Sequence, residues 1–398
     1  RRPLFDGYVT MVSNAIVVGG GIGGLAAAAL LARRGVAVTL VEQAPDLGEI
    51  GAGLQISPNG LTVLRDLGLQ SSLDRMGAVR AQAVSLTDYQ GGTEVARLDL
   101  SKLGDQQYFF VHRADLVGLL ARAARQANVS MELGRRVTAV TPGPISQISF
   151  EDGGTSRAEL IVCADGLRSI GRAALNGDAK PTFTGQVAWR ALIPCADPQP
   201  VATVTMGPGR HIVSYPLRNG ALTNIVAVQE RDAWAEEGWH HTDEPANLRA
   251  AFADFSGPAA SILSAVTRVN LWGLFRHPVA ARWVEHGTVL LGDAAHPTLP
   301  FLAQGANLAL EDAWVLANTV QTGRALSAYQ TARHSRVSKV IDAASGNAWK
   351  YHMQPGLPRR TAHIALSLGS RLAPGLMLRQ FDWIYRHDVT RTASQPAR

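Results

Sequence analysis

Gly19-x-Gly21-x-x-Gly24 is the stretch whose residue types and spacing most plainly suit chemistry. It follows the apolar run Ala15–Val18, opens an Ala- and Leu-rich segment, and precedes Glu42, 18 positions after Gly24. Each part suits a dinucleotide: Gly19 permits a tight turn, Gly21 lets backbone approach a pyrophosphate, and Gly24 lets a helix pack on a sheet. The helix start offers free N–H groups and a positive dipole end to phosphate, and Glu42 would accept hydrogen bonds from a ribose diol. Two further turns also follow apolar runs. Gly292-Asp293-Ala294-Ala295-His296 comes after Thr288–Leu291, with Gln304-Gly305-Ala306-Asn307 beyond it, and Asp293 could bind a ribityl or ribose hydroxyl. Cys163-Ala164-Asp165-Gly166-Leu167-Arg168-Ser169 comes after Leu160. Singly, each of these two is an ordinary turn. His211 and Tyr215 stand four apart, and positions i and i+4 of a strand share a face, so both can line one pocket.

These residues need elements to position them. The N-terminal pattern reads strand Ala15–Val18, turn Gly19–Gly24, helix Leu25–Arg34 capped by Gly35, and strand Val36–Val41, the start of a parallel βαβ unit. A glycine-rich loop spans Gly48–Gly60, and helices are expected at Asn59–Leu67 and Ala114–Ala127. Met131–Val140, Gln147–Phe150 and Leu160–Ala164 read as strands, with Asp152–Gly153 as a hairpin turn. From Pro181 the pattern turns to β: Val187–Ile193, Val201–Thr205, Ile212–Pro216 and Thr223–Val228. Leu248–Val266 reads as a helix, Thr288–Leu291 as a strand, and Gln304–Thr319 opens helices that run to about Tyr351.

Bulk properties narrow the function classes. With 398 residues, 46% apolar and 18% charged, the chain suits two or three intertwined globular domains. Its net charge of +6 is scattered, with no basic run interleaved with aromatics, which excludes the usual pattern of a nucleic-acid binder. Cys163 and Cys195 are too few for a disulfide framework or a cysteine metal site, so no metal is expected and a reducing cytoplasm is the natural setting. Ala15–Ala32 could pass for a signal peptide or membrane span, but five glycines between Gly19 and Gly24 suit a strand, turn and helix better. The residues before Met11 are given no structural weight.

Taken together and in this order, the three turns resemble those of the class A flavoprotein monooxygenases, the salicylate and hydroxybenzoate hydroxylase group. The resemblance extends to Gly51-Ala52-Gly53-Leu54-Gln55-Ile56-Ser57-Pro58-Asn59, His112-Arg113-Ala114-Asp115-Leu116, Pro300, Glu311-Asp312-Ala313 and Phe381-Asp382-Trp383-Ile384-Tyr385-Arg386-His387-Asp388, and covers Val12 to Asp388. It implies bound FAD, held by Gly19, Gly21, Gly24, Glu42 at the adenosine ribose, Arg113, Asp165, Gly292, Asp293, Gly305, Ala306 and Asn307. It also implies that NADH or NADPH visits transiently, with which the lack of a second complete dinucleotide-binding unit is consistent. The implied reaction is hydroxylation of a phenolic aromatic compound with O2 through a flavin C4a-hydroperoxide. Gly209–Pro216 is similar to the stretch that supplies a His and a Tyr to the substrate. His211 would then accept or relay the phenolic proton, Tyr215 would orient the ring, and the Pro300 carbonyl would receive a hydroxyl. His296 is expected to be structural. The tryptophans are expected mostly in the core, with Trp189 or Trp234 as alternative linings of an aromatic pocket, and Arg190 is a candidate for a substrate carboxylate or, more ordinarily, the surface.

The implied fold class is α/β: a Rossmann-like FAD-binding domain interrupted by a mostly β substrate domain, with C-terminal helices. FAD-binding parts are expected at 11–75, 101–176 and 278–345, substrate-domain parts at 76–100 and 177–277, and a helical end at 346–398. Competing readings are an FAD-dependent reductase or dehydrogenase without oxygen insertion, a non-catalytic carrier, and a quinone-pathway ring hydroxylase resting on a membrane through Ile364–Leu378. That stretch is expected to pack on the core instead. The expected partners are a small aromatic substrate and O2, with no nucleic acid and no membrane, and a homodimer left open.

Overall fold

The computed structural model describes residues 12–48, 53–104, 106–178, 180–231, 241–299 and 302–392. Its first layer is a six-stranded sheet in the order Val284–Glu285, Thr288–Leu290, Leu160–Cys163, Asn14–Val18, Ala37–Glu42, Ser130–Leu133. All neighbours run parallel except the Val284–Glu285 edge. These strands are short and apolar because helices cover them, as a buried parallel sheet requires. Ile22–Arg33 packs there, with Leu25, Leu30 and Leu31 essentially without solvent contact. Each such side chain contributes about 1.5–3 kcal/mol of hydrophobic stabilisation. Its alanine run lets Gly305–Gln321 and Arg113–Gln126 approach closely on either side.

The second layer is an eight-stranded sheet in the order His241–Asp243, Val269–Arg276, Thr182–Pro194, Leu222–Glu230, Arg210–Leu217, Val201–Gly207, Ala83–Asp88, Glu94–Asp99. It is antiparallel except where Val201–Met206 runs parallel to Ala83–Asp88. The last two strands were legible only as part of a segment, 76–100; their alternation is blurred by residues buried on both faces of Ala83–Asp88. One face carries Val187, Trp189, Ala191, Ile212, Ile225 and Ala227 and packs on the helices Pro245–Ala251 and Pro258–Ser264. The opposite face, with Ala188, Val226, Val228 and Leu274, turns toward the nucleotide-binding layer.

Four expectations are corrected. Met131–Val140 is two strands, Ser130–Leu133 and Val137–Thr141, in different sheets. Gly134, at φ +71°, breaks the run, and the Gly134 and Arg135 N–H groups turn back to the Ala44 and Glu42 carbonyls. Leu248–Val266 is two short helices, because Gly257 at φ +65° precedes Pro258. Trp189 lies on the helix-packed face, its Nε1 donating to Asp243, and so lines no pocket with His211. Ile364–Leu378 packs by one face only: Leu357–Leu372 and Pro374–Arg379 form two helices that lie on Glu94–Asp99, with Leu366 against Leu86 and Val95, and leave Ile364, Leu368, Leu372 and Leu376 exposed. Among the described residues no helix is long and apolar enough to cross a membrane.

A buried ionic cluster binds the nucleotide layer to the C-terminal helices. Glu311 and Asp312, both without solvent contact, sit on Gly305–Gln321, and Arg333 and Arg336 reach them from Ser327–Tyr351. Arg333 Nε lies 2.7 Å from Asp312 and Arg336 Nη2 2.7 Å from Glu311. Asn59 donates to Glu311 at 2.6 Å, and Arg336 donates to the Trp383 and Ile384 carbonyls. Burial alone would raise both carboxyls, yet Arg333 and Arg336 hold Glu311, and His296 and Arg333 hold Asp312, each at about 2. A folded value below the usual one of about 4 means stability that is full at higher pH and lost as pH falls toward 2. Glu311→Ala leaves Arg336 without its acidic partner and Arg333 with Asp312 alone, and is expected to destabilise by about 3–5 kcal/mol at pH 7. Denaturant titrations at pH 7 and pH 4 check this: the gap between variant and wild type should narrow at the lower pH.

Candidate active site

The three turns of the sequence follow three adjacent parallel strands, Asn14–Val18, Leu160–Cys163 and Thr288–Leu290. Their C-terminal ends therefore open onto one crevice, the place where α/β sheets bind ligands. Contacts show how tightly the turns nest. A methyl group on Gly19 (φ +108°) would meet the Ala164 carbonyl at 2.3 Å, and one on Gly24 the Gly19 carbonyl at 1.9 Å. A methyl on Gly21 would meet nothing within 4 Å. Gly19 and Gly24 are thus required for packing, while Gly21 borders open space at the start of Ile22–Arg33, where first-turn N–H groups lack helical acceptors.

Glu42 ends the neighbouring strand, and its carboxylate accepts from the Gly20 N–H at 2.6 Å and the Ala44 N–H at 2.8 Å. Asp165 accepts from the Ile170 N–H at 2.8 Å through Oδ2, while Oδ1 is buried with no hydrogen-bond partner. Burial raises its carboxyl, opposed by those hydrogen bonds. Gly292 (φ +62°) turns the chain so that its N–H donates to Asp312 at 3.1 Å. Asp293 is surrounded by protein, which pushes its carboxyl up against the pull of His296 and Arg113, yet its side chain remains open to solvent. A group both surrounded and wetted lines a cleft. His296 binds Asp312 and stacks on Trp283, a structural part.

Gly305, Ala306 and Asn307 form the first turn of the 17-residue helix Gly305–Gln321, and their N–H groups have no acceptor within it. The Asn307 side chain, expected to face a cofactor, is fully engaged in protein: its amide donates to the Gln55 and Ala303 carbonyls and its oxygen accepts from Ser57. Its residual binding capacity is its main-chain N–H. Arg113 begins Arg113–Gln126 and acts electrostatically on both Asp293 and Arg190, which places it between the two layers.

The β-sheet face opposite holds the remaining candidates. His211 and Tyr215 share the face of Arg210–Leu217 that also bears Val213. Register aligns Ala188, Val228 and His211 across three strands, then Arg190, Val226 and Val213, then Leu192, Asn224 and Tyr215. Arg190 is therefore two strand spacings, about 10 Å, from the ridge between His211 and Tyr215. It is not a surface residue: its Nε is sealed from solvent without a hydrogen bond, and its guanidinium lies 4.5 Å over the Trp272 ring. Among the described residues no acid is paired with it, and burial lowers it to about 10. Tyr215 packs 5.0 Å from Phe110, and burial raises its hydroxyl. His211 is lowered to about 3 by burial and by His352. Tyr108 and Tyr385 (ring centroids 6.1 Å apart), with Tyr351 near both, complete an aromatic wall. Tyr385 lies in a stretch that already carried a resemblance; Tyr108, Tyr351 and His352 had no local signal. Pro300, Trp234 and Trp239 lie outside the described residues. Among the described residues no cluster of three or more metal-type ligands occurs.

An α/β layer with a dinucleotide crevice, facing a β-sheet with an aromatic cleft, defines a flavoprotein oxidoreductase. A family model described as an FAD binding domain matches residues 12–344. The 3-amino-4-hydroxybenzoate 2-monooxygenase of Streptomyces cremeus is 36% identical over 355 residues, covering 85% of this chain and 88% of its own. The 3-hydroxybenzoate 6-hydroxylase 1 of Aquipseudomonas alcaligenes is 31% identical over 399 residues, covering 94% and 98%. A solved salicylate hydroxylase substrate complex superposes with a TM-score of 0.79 at 25% identity, over 97% of this chain and 99% of that one. The chain belongs to this family, the FAD-dependent class A aromatic hydroxylases. The residues present fit FAD: the open side of Gly21, the orphaned Asp165 oxygen and the wetted Asp293 all border one crevice.

Gly21→Ala and Gly24→Ala should separate binding from folding. Gly21→Ala is expected to keep the melting temperature of the FAD-free protein while weakening FAD at least about tenfold, or ~1.4 kcal/mol. Gly24→Ala is expected to lower the melting temperature itself. Thermal scans of FAD-free protein and titration of flavin fluorescence check both.

Proposed function

We propose that this chain hydroxylates a phenolic aromatic acid, a ring bearing one hydroxyl and one carboxylate, with NAD(P)H and O2 as co-substrates. FAD, reduced by the nicotinamide, supplies the activated oxygen atom; the chain's own residues place the ring and manage its protons. The observation that carries the reading is Arg190, a half-buried cation whose Nε is sealed without a hydrogen bond and which has no acidic partner among the described residues, on the face shared by His211 and Tyr215. A buried cation wants a partner brought by the ligand. Carboxylate at Arg190 lays the ring over Val226 and Val213 and directs its hydroxyl end toward His211 and Tyr215. His211, neutral at ordinary pH, takes up the phenolic proton and makes the ring electron-rich, Tyr215 orients it, and the tyrosine wall excludes water. The relatives support the substrate class, since their names specify hydroxybenzoates. Dependence on NAD(P)H and the two free cysteines suit the cytoplasm.

The test follows NADH and NADPH consumption, oxygen uptake and peroxide release with a panel of hydroxylated aromatic acids. A product heavier by one oxygen supports hydroxylation; turnover that persists without oxygen supports a reductase instead. Arg190→Met is expected to raise KM for the accepted acid about thirtyfold or more, from a loss of ~2 kcal/mol, with kcat little changed. A phenol lacking the carboxylate should not discriminate the variant from the wild type, and equal KM changes for both compounds would remove Arg190 from the role.

A further inference from the structure

His211 is the inner end of a chain of contacts that leads out of the cleft. Its Nδ1 lies 2.7 Å from His352 Nε2, and His352 Nδ1 lies 2.6 Å from Glu230 Oε1. His211 and His352 are buried, whereas the Glu230 side chain is 51% exposed. Three separate elements make the alignment. His211 and Glu230 come from paired strands, with Arg210 opposite Gln229, and His352 follows the helix Ser327–Tyr351. The backbone fixes the meeting point: Gly209 N–H donates to the His352 carbonyl at 3.1 Å, and Glu230 N–H donates to the Gly209 carbonyl at 2.9 Å. The Tyr351 ring packs 5.4 Å from that of His211. Neighbouring charges are engaged elsewhere: Arg210 pairs with Asp254 at 2.8 Å, and Arg359 and His363 both meet Asp88.

We propose that His352 and Glu230 form a proton path that connects His211 to solvent. The proposal rests on the reading of His211 as the residue that accepts the phenolic proton. One set of tautomers satisfies both of these hydrogen bonds: Glu230 as carboxylate, and each imidazole carrying its proton on Nδ1. The substrate O–H then breaks as its proton reaches His211 Nε2, the His211 Nδ1 proton passes to His352 Nε2, and the His352 Nδ1 proton passes to Glu230. Phenolate is left in the cleft and a neutral carboxyl at the surface, with no oxidant or reductant required. Burial makes a cationic His211 unfavourable, so a proton taken from substrate must move on. His352 and Glu230 act on substrate only through His211 and are positioning residues for the reaction.

The experiment uses the FAD-loaded enzyme and 4-hydroxy-3-nitrobenzoate, whose phenolate is yellow. Binding is read from the flavin spectrum, and deprotonation of bound probe from the yellow colour after a pH jump in a stopped-flow instrument. Glu230→Gln, at an exposed position, should bind the probe as wild type does but deprotonate it about tenfold to a hundredfold more slowly. It should also flatten the pH dependence of kcat without changing KM, and Glu230→Asp should restore most of the rate. Equal deprotonation rates and pH profiles in wild type and Glu230→Gln would overturn the path. If wild type binds the probe but never deprotonates it, the role of His211 itself falls, and with it the proposal.

Discussion

Two carboxylates and two guanidinium groups share one dry space between the helices Gly305–Gln321 and Ser327–Tyr351, and much of the crevice depends on their staying paired. Neither pair of charges would be tolerable alone in such a place. Asp312 divides its oxygens between Arg333 on one side and the Gly292 N–H with His296 on the other, so the turn before Asp293 is set by the same carboxylate that neutralises Arg333. Glu311 reaches Asn59 and, through Arg336, the carbonyls at Trp383 and Ile384. The flavin crevice and the aromatic wall, which includes Tyr385, are thereby referred to one fixed origin. A reaction that needs a ring placed against a flavin is sensitive to displacements of an ångström, and a charged anchor resists such displacement better than apolar contacts that can slide.

What could be read from the residues, and what could not, follows the distance over which each feature is determined. The glycine turns were legible because the demand is local: backbone conformation at Gly19 and the missing side chain at Gly24 are written where they act. The shared face of His211 and Tyr215 follows from the period of a strand. Trp189 and Arg190 show the limit of that rule. The two residues are adjacent, so one must face the helices and the other the cleft, and composition gives no phase; the tryptophan and the arginine are reversed relative to ordinary expectation. Tyr108 and the adjacent pair Tyr351 and His352 come to the site from two distant places, through contacts that no local pattern records. Asn307 illustrates the converse, a residue in the right place whose side chain is taken by Gln55, Ser57 and Ala303.

The two layers divide the labour by their chemistry. The parallel sheet presents main-chain N–H groups and a few acids, suited to a large anionic cofactor whose shape is constant. The antiparallel sheet presents side chains in rows, where a single residue changes the surface while the strands stay as they are. Substrate differences among relatives at roughly a third identity are easily accommodated by such rows.

The parallel pairing of Val201–Met206 with Ala83–Asp88 binds strands that are more than a hundred residues apart in the chain. During synthesis the early hairpin Ala83–Asp99 leaves the ribosome with one edge unmatched, and its neighbour follows only after most of the nucleotide layer has been made. Closing so long a loop is slow compared with helix or hairpin formation. The substrate sheet is therefore assembled late, around a nucleotide layer whose strands from 14 to 163 are already available.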